Sequence, residues 1–599
     1  MLYFTVKHLL SIKIFLIFIT YPMKLLTFLS LVFLLLIVNN LSADNKKAPH
    51  VLFIAVDDLR PELNCYGAER SISPNIDRLA AMGTLYENAY VQVPVCGASR
   101  ASLMSGMYPT TKRFTWFGTR FDRATSNQYG KNCTGAPNIP DIPSWFKKNG
   151  YKTFSMGKIY HYADDNTSAW DVIDRVGYFK AYQLPENQGK SPAYESAPVE
   201  YNAYPTGIMT DKIIQQMRVA KESDQPHFFT AGFSKPHLPF VAPKKYWDLY
   251  DEEDLVLPSN YTFFPKDAPS SANSTWGELR NMYDGVPSEG PVSDEMALKL
   301  IHGYLACVSY TDDMIGKLLD ELESLEMLDD TVIVLWGDHG FQLGDHTLWC
   351  KHTLFETSMH APLIISAPCY EAGQRVNSLA EMVDIYPTLC ELAGLEFPTH
   401  LQGKSLVSTM EDPDSIHKKA IFGRYHSGET VRTERFQYSE WTNGDRMLFD
   451  HKRDPNEDIN VVADPKYARV VEAMATALLK HREKIAFDES TNLEASDLPE
   501  NSAPAWNKSA FNQKETRQPM ASVGVEYQSY VNWRVKDAEG DPLTYEKVSG
   551  PAWLKMSNAQ YGRLSGTPEK SDRGTNVFVV SVTDGFSPPV VAEMILEVE

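Results

Sequence analysis

Apolar residues fall into two patterns along the chain. The first is a short unbroken run. His50-Val51-Leu52-Phe53-Ile54-Ala55-Val56 stops abruptly at Asp57-Asp58. Phe228-Phe229-Thr230-Ala231-Gly232-Phe233, Thr331-Val332-Ile333-Val334-Leu335 and Pro362-Leu363-Ile364-Ile365-Ser366 have the same character. Such runs, without polar alternation, predict strands buried on both faces, as in a parallel sheet covered by helices. The second pattern is helical spacing. Ile76, Leu79, Ala80 and Met82 follow Ser73-Pro74, which predicts a helix with proline in its first turn. Between Val292 and Met327, the positions Met296, Leu298, Ile301, Leu305, Val308, Ile315, Leu318 and Leu322 predict a longer one. Alternating strands and helices give an α/β fold class: a large, mainly parallel sheet sandwiched by helices. Function in such sheets gathers at the carboxyl ends of the strands. Asp57-Asp58 and Asp338-His339 both fall at such ends.

Downstream the pattern changes. Short alternating strands at Ala420–Gly423, Phe436–Ser439 and Met447–Asp450, with a helix at 465–483, predict a small antiparallel subdomain over about 411–487. The main domain then covers 44–487, its large part ending near 410. Residues 488–512, rich in Glu, Ser, Asn, Ala and Pro, read as a linker. Turn signals at Asp537–Asp541 and Leu564–Pro568, with a strand at Val577–Val582, predict a separate β-sandwich over 513–599. At the other end, Met23-Lys24 precedes the apolar Leu25–Val38 and the small residues Leu41-Ser42-Ala43. This predicts a cleaved export signal over 1–43, with Met23 as an alternative start. The apolar run, about 14 residues, is short of the ~20 that span a bilayer. The expectation is an exported protein, periplasmic, cell-surface or secreted, with no integral membrane segment after cleavage.

Charge narrows the partners. The net charge of -20 disfavours nucleic acid and anionic membranes. An anionic substrate would need a local cationic site. Seven cysteines without CxxC spacing form neither a zinc ribbon nor a disulfide-dense scaffold.

The candidate chemistry starts from the carboxylates. Asp57, Asp58 and Asp338 at neighbouring strand ends would repel one another without a cation between them. Taken singly, each also suits a turn or a cap. With His339 alongside, oxygen-rich ligands favour Ca²⁺ or Mg²⁺ over zinc. Three Lys/His pairs, Lys158/His161, Lys235/His237 and Lys351/His352, could supply a positive pocket. Cys96 in Cys96-Gly97-Ala98-Ser99-Arg100 opens a predicted helix. A thiol there, close to arginine, reads as a lowered-pKa nucleophile, or as a buried small residue or half a disulfide.

Together these stretches resemble the type I sulfatases of the alkaline phosphatase superfamily, and most closely the iduronate-2-sulfatase-like group. The matching residues are V-D-D-L-R-P (56–61), S-P-N-I-D-R-L-A (73–80), V-C-G-A-S-R-A-S-L-M-S-G (95–106), G-K-I-Y-H (157–161), K-P-H-L-P-F (235–240), G-D-H-G-F-Q-L-G-D-H (337–346) and L-F-D-H-K-R-D-P-N-E-D-I-N (448–460). The resemblance implies that a formylglycine-generating or radical maturation enzyme converts Cys96 to Cα-formylglycine. It implies that Asp57, Asp58, Asp338 and His339, with the modified residue 96, hold Ca²⁺. Arg100 and Lys158 would fix the formylglycine and its diol. His161 would act on the second hydroxyl, and His237 and Lys351 would contact the sulfate and the bridging oxygen. Residue 98 is Ala where most members carry Pro, a change associated chiefly with the radical, oxygen-independent maturation system. The implied substrate is a sulfated saccharide, such as a 2-O-sulfated uronic acid of a glycosaminoglycan or algal polysaccharide. A phosphatase or phosphonate hydrolase of the same superfamily is the alternative. His346, Trp349, Arg424 and His426 are candidate substrate contacts. The region 513–599 resembles a bacterial Ig-like, cadherin-like module.

Overall fold

The computed structural model describes residues 48–123, 126–128, 131–136, 138–175, 181–274, 276–491, 505–506, 518–531, 535–536, 543–559, 562–583 and 589–599. The elements that build the main sheet and its cover are β1 (His50–Val56), α1 (Pro74–Met82), β2 (Thr84–Tyr86), α2 (Cys96–Ser105), β3 (Lys152–Met156), β4 (Val172–Asp174), α3 (Pro205–Lys221), β5 (His227–Phe233), α4 (Asp294–Ser324), β6 (Thr331–Gly337), β7 (Leu363–Ser366) and β8 (Gln374–Val376). The eight strands lie in the order β8-β2-β7-β6-β1-β5-β3-β4.

β1 is central, and all seven of its residues are buried. It runs parallel to β6 on one side and β5 on the other. Its alternate side chains serve two layers, as the two-residue period of a strand requires. Leu52, Ile54 and Val56 share a core with α1, α3 and α4. Phe53 points to the other face and packs on Phe228 and Trp336. Burying each of the apolar side chains is worth about 1.5–3 kcal/mol, so a polar residue anywhere in this run would be costly. The strand predicted at 362–366 is present as β7 but runs antiparallel to β6. The sheet is therefore mixed on that side, and an apolar run alone carries no strand direction. α4 is the longest helix described, with Ser293 capping it through the Met296 N–H.

The small subdomain is a meander of β9 (Ile421–Tyr425), β10 (Gly428–Arg432), β11 (Phe436–Trp441) and β12 (Arg446–Asp450), with α5 (Ala468–Thr491) against it. Two boundaries differ from the sequence reading. β10 had no apolar run to announce it, and α5 continues past 483 into the stretch read as linker. The C-terminal region pairs one three-stranded antiparallel sheet, Tyr527–Tyr530, Arg563–Gly566 and Lys555–Asn558, with a second, Thr544–Ser549, Gly574–Thr583 and Val590–Val598. Both contribute to one apolar core, as a sandwich requires. Leu564–Gly566, read as part of a turn, is strand. Gly566 stands there because a Cβ would meet the Trp553 carbonyl oxygen at 1.9 Å. The export-signal stretch, most of the linker and the Asp537–Asp541 turn lie outside the described residues. No described helix is long and apolar enough to cross a membrane.

Candidate active site

Register puts the site together. Val56 pairs with Gly337 on β6 and with Phe233 on β5. Asp57 and Asp338 therefore leave adjacent strands at the same level. The main-chain ladder carries one step further: Asp57 N–H donates to the Phe233 carbonyl at 3.0 Å, and Asp338 N–H to that of Val56 at 3.3 Å. Asp58 then turns out of the ladder with φ of 61°, a left-handed conformation that aspartate tolerates better than most residues. Its N–H donates to Asp338 Oδ1 at 3.0 Å.

α2 comes in from the Phe53/Trp336 face, and all ten of its residues are buried. At Gly97 a Cβ would meet the Phe117 carbonyl oxygen at 2.2 Å. Glycine thus lets the loop around Phe117 close over the start of the helix. Cys96 stands at the first helical position, its Sγ 3.1 Å from His339 Nε2. Arg100, one turn on and on the same side of the helix, is fully buried with its guanidinium shared out. Nε donates to Asp338 Oδ2 at 2.8 Å, Nη2 to Asp57 Oδ1 at 3.4 Å, and Nη1 to the carbonyls of Lys158 and Ile159. Lys158 pairs with Asp57. Lys351 reaches both oxygens of Asp58 at 2.9 Å. His237 Nε2 lies 3.9 Å from Asp58 Oδ2.

These neighbours set the charge states. Burial pushes the Asp57 carboxyl up, but Lys158, His237 and Arg100 overcome this and hold it well below the usual range. Burial lowers Lys351, yet Asp58 and Glu278 carry it well above the ordinary lysine value. Burial and the nearby Lys158 push His161 well below its usual value, leaving a neutral imidazole. Burial lowers Lys235 to about 8. For Cys96 burial dominates and raises the thiol well above its ordinary value. This reverses the lowered pKa expected from a helix start near arginine, because burial outweighs the lowering by Lys158 and Lys351. Cys96 is a free thiol here, with no disulfide.

One ligand atom from each of Asp57, Asp58, Cys96 and His339 lies within 4.8 Å of the others, and all four residues are buried. Asp338 adjoins this group, its Oδ1 3.7 Å from His339 Nε2. His339 Nδ1 is 2.9 Å from the Gly340 carbonyl, so Nδ1 carries the proton and Nε2 presents its lone pair to the group. Ionised carboxylates and one imidazole, brought together out of water, suit a hard divalent cation.

The structure also brings in residues that the sequence did not single out. Glu278, in a short helix at Glu278–Met282, lies 3.2 Å from His237 Nε2 and 3.1 Å from Lys351 Nζ. Nothing local in Ser274-Thr275-Trp276-Gly277-Glu278 marks it as a site residue. Around the mouth, the ring of Trp116 lies 5.3 Å from Trp276, 6.1 Å from His352 and 5.0 Å from His426. Phe117 lies 5.7 Å from His161.

The four candidate substrate contacts separate into two pairs. Arg424 and His426 line a cavity of about 630 Å³ together with Glu440, Trp441 and Arg482. The Trp116 ring links His426 to His352. His346 is instead engaged by the Asn456 carbonyl at 2.8 Å and by Asn260. Trp349 is half-buried against the main core.

With this geometry in place, the relatives are informative. The model of the family described as "Sulfatase" matches residues 49–395. That described as "N-sulphoglucosamine sulphohydrolase, C-terminal" matches 344–484, and an Ig-domain model matches 511–596. A sulfatase of Formosa agariphila is 32% identical over 455 residues, covering 72% of this chain and 86% of that protein. The human iduronate 2-sulfatase is 33% identical over 397 residues, covering 59% of this chain and 70% of that protein. Among solved structures, the phosphonate monoester hydrolase of Agrobacterium radiobacter superposes with a TM-score of 0.60 at 23% identity, covering 73% of this chain and 96% of that one. That likeness concerns the fold, which hosts more than one ester chemistry.

Proposed function

The chain belongs to the sulfatase family and is a sulfuric ester hydrolase, and from that premise we propose that it removes sulfate from a sulfated saccharide, a 2-O-sulfated uronic acid of a glycosaminoglycan or algal polysaccharide being the leading class, with a Cα-formylglycine made from Cys96 and a bound Ca²⁺. The observation that carries this reading is Cys96 at the head of a wholly buried helix, facing His339 beside three carboxylates. A formylglycine at this position would supply a hydrated carbonyl, that is, an oxygen nucleophile for sulfur. Asp57, Asp58, Asp338 and His339 would hold the Ca²⁺, which would lower the cost of gathering negative charge.

The remaining roles belong to the chain's own groups. Arg100 braces Asp57 and Asp338 and thereby fixes the floor of the site. Lys158, paired with Asp57, would fix the formylglycine at position 96. Lys351 and His237 face the bridging oxygen, and one of them gives the departing alcohol its proton. His161, kept neutral by burial and by Lys158, is suited to take a proton when sulfate is expelled. Trp276, backed by the buried Trp116, offers an aromatic face for a sugar ring, and Arg424 in the adjoining cavity offers a partner for a uronic acid carboxylate.

The test is sulfate release from a panel of defined sulfated oligosaccharides, with mass analysis of the peptide carrying residue 96. Cys96→Ala is expected to lose at least about 10⁴-fold in turnover while folding normally. A Cys96→Ala protein as active as wild type, or active wild type carrying only an unmodified thiol, would sink the proposal.

A further inference from the structure

Glu278 is out of place in a pocket meant for an anion. It is buried, about 7% exposed, and takes no part in the group around Cys96 and His339. Its two carboxylate oxygens touch His237 Nε2 at 3.2 Å and Lys351 Nζ at 3.1 Å. These are the two side chains assigned to the departing end of the ester. Its pKa is held far below the usual carboxylate range: burial opposes ionisation, but Lys351, His237 and His352 overcome it. The site thus keeps a permanent negative charge one contact away from the substrate's own.

Four carboxylates, Asp57, Asp58, Asp338 and Glu278, share ion contacts with three permanent cations, Arg100, Lys158 and Lys351. Lys235, the fourth buried cation, spends its ammonium on the carbonyls of His237 and Pro239. Asp57, Asp58 and Asp338 have a metal to answer to. Glu278 answers to the two groups that meet the substrate, with Trp276 Nε1 donating to one oxygen at 3.4 Å.

We infer that Glu278 is a specificity-determining residue, which selects esters carrying one negative charge over those carrying two. A sulfate monoester is a monoanion. A phosphate monoester at neutral pH is a dianion with nearly the same tetrahedral shape, so size and hydrogen bonding alone separate them poorly. A fixed buried carboxylate repels the dianion about twice as strongly, in a place where water screens little. Glu278 also shares Lys351 with Asp58 and so reduces the positive field that a second negative charge would exploit. The same residue would leave phosphonate monoesters, which are monoanions, unpenalised. This deepens the proposed function and rests on it, because it needs His237 and Lys351 to face the ester.

The test compares Glu278→Gln and Glu278→Asp with wild type as full-length, Ca²⁺-loaded protein. Calorimetry gives the affinities for methyl sulfate, a monoanion, and for inorganic phosphate above its second ionisation, a dianion. In Glu278→Gln the phosphate-to-methyl sulfate affinity ratio is expected to rise about tenfold or more, while Glu278→Asp, which keeps the charge, retains the wild-type ratio. The same shift should appear in kcat/KM for aryl phosphate relative to aryl sulfate, with aryl phosphonate monoester tracking sulfate. If Glu278→Gln does not fold, Glu278→Ala provides the same readout. A ratio unchanged within twofold, or one that moves equally in Glu278→Asp, overturns the inference. Failure of the parent reading looks different: wild type releases no sulfate from any saccharide, whatever the binding ratio does.

Discussion

At the carboxyl ends of β1 and β6, Asp57, Asp58 and Asp338 crowd together with Cys96 and His339. Behind α2, Glu381 and Asp384 are just as deeply buried and meet Lys418 and His417. In the second cluster every carboxylate oxygen faces a donor. Asp384 Oδ1 accepts from Lys404 N–H and Lys418 Nζ, at 2.8 and 2.6 Å. Its Oδ2 accepts from Glu381 N–H at 3.0 Å and lies 3.1 Å from His417 Nε2. Glu381 takes Phe422 N–H on one oxygen, and Lys418 and Tyr108 on the other. The donors come from five separate stretches of chain, so the cluster rivets β9 to the sheet side of the domain. The carboxylate oxygens of the first cluster also face donors, but there one ligand atom from each of Asp57, Asp58, Cys96 and His339 converges within 4.8 Å of the others. Burial alone does not mark a functional carboxylate. Convergence does: acids that share donors outward are structural, and acids that face one another are waiting for a cation.

The sharpest way to break this contrast is to remove the proposed cation. Exhaustive chelation is expected to abolish sulfate release, by more than about 100-fold, and to lower the melting temperature. Added Ca²⁺ should restore both. A cation bound at 100 times its Kd is worth about 2.7 kcal/mol. An unchanged melting curve after chelation would mean that the carboxylates by β1 are as self-sufficient as Asp384.

Next in size is Lys418→Met. It leaves Glu381 and Asp384 buried without their common ammonium, at a cost of about 3–5 kcal/mol in urea unfolding. Turnover by the folded fraction should stay within about threefold of wild type. A large fall in kcat without loss of stability would erase the distinction between the two clusters.

The smallest effect is in acid. Burial raises the Asp384 carboxyl, but Lys418 and His417 overcome this and bring it to about 2. A carboxyl whose folded pKa is depressed stabilises the fold above its unfolded value, near 4. That stabilisation is lost as pH falls toward the folded one. Asp384 should therefore withdraw about 2 kcal/mol between pH 4 and pH 2. Urea midpoints across that range should fall less steeply in Lys418→Met than in wild type. Equal slopes would mean that Lys418 does not set this carboxyl.

Much of this was legible in the sequence where one residue type had one meaning. Unbroken apolar runs ending in Asp57-Asp58 and Asp338-His339 gave both the strands and the end at which function sits. Helical spacing gave α1 and α4. Strand direction was not legible, since β7 has the same apolar run as β6 yet pairs antiparallel. Neither was β10, whose Gly428-Glu429-Thr430-Val431-Arg432 has no buried-strand signature. At the site, the groups that announced themselves were those next to strand ends. Glu278 opens a short helix far in sequence from the strands of the main sheet, and only tertiary packing carries it to Lys351. Of the readings open for the Cys96 thiol, the buried residue holds and the lowered pKa does not, because burial outweighs the cations around it.

Cys96 is 3% exposed in the folded chain, beneath a loop that Gly97 allows to close tightly. An enzyme carrying out the proposed conversion could not reach this side chain there, so conversion and folding would compete for the same nascent polypeptide. Whichever finishes first decides the fate of that molecule. The specific activity of a preparation would then be a fossil of biosynthetic timing, and slower synthesis or a more abundant modifying enzyme would raise it without any change in the gene.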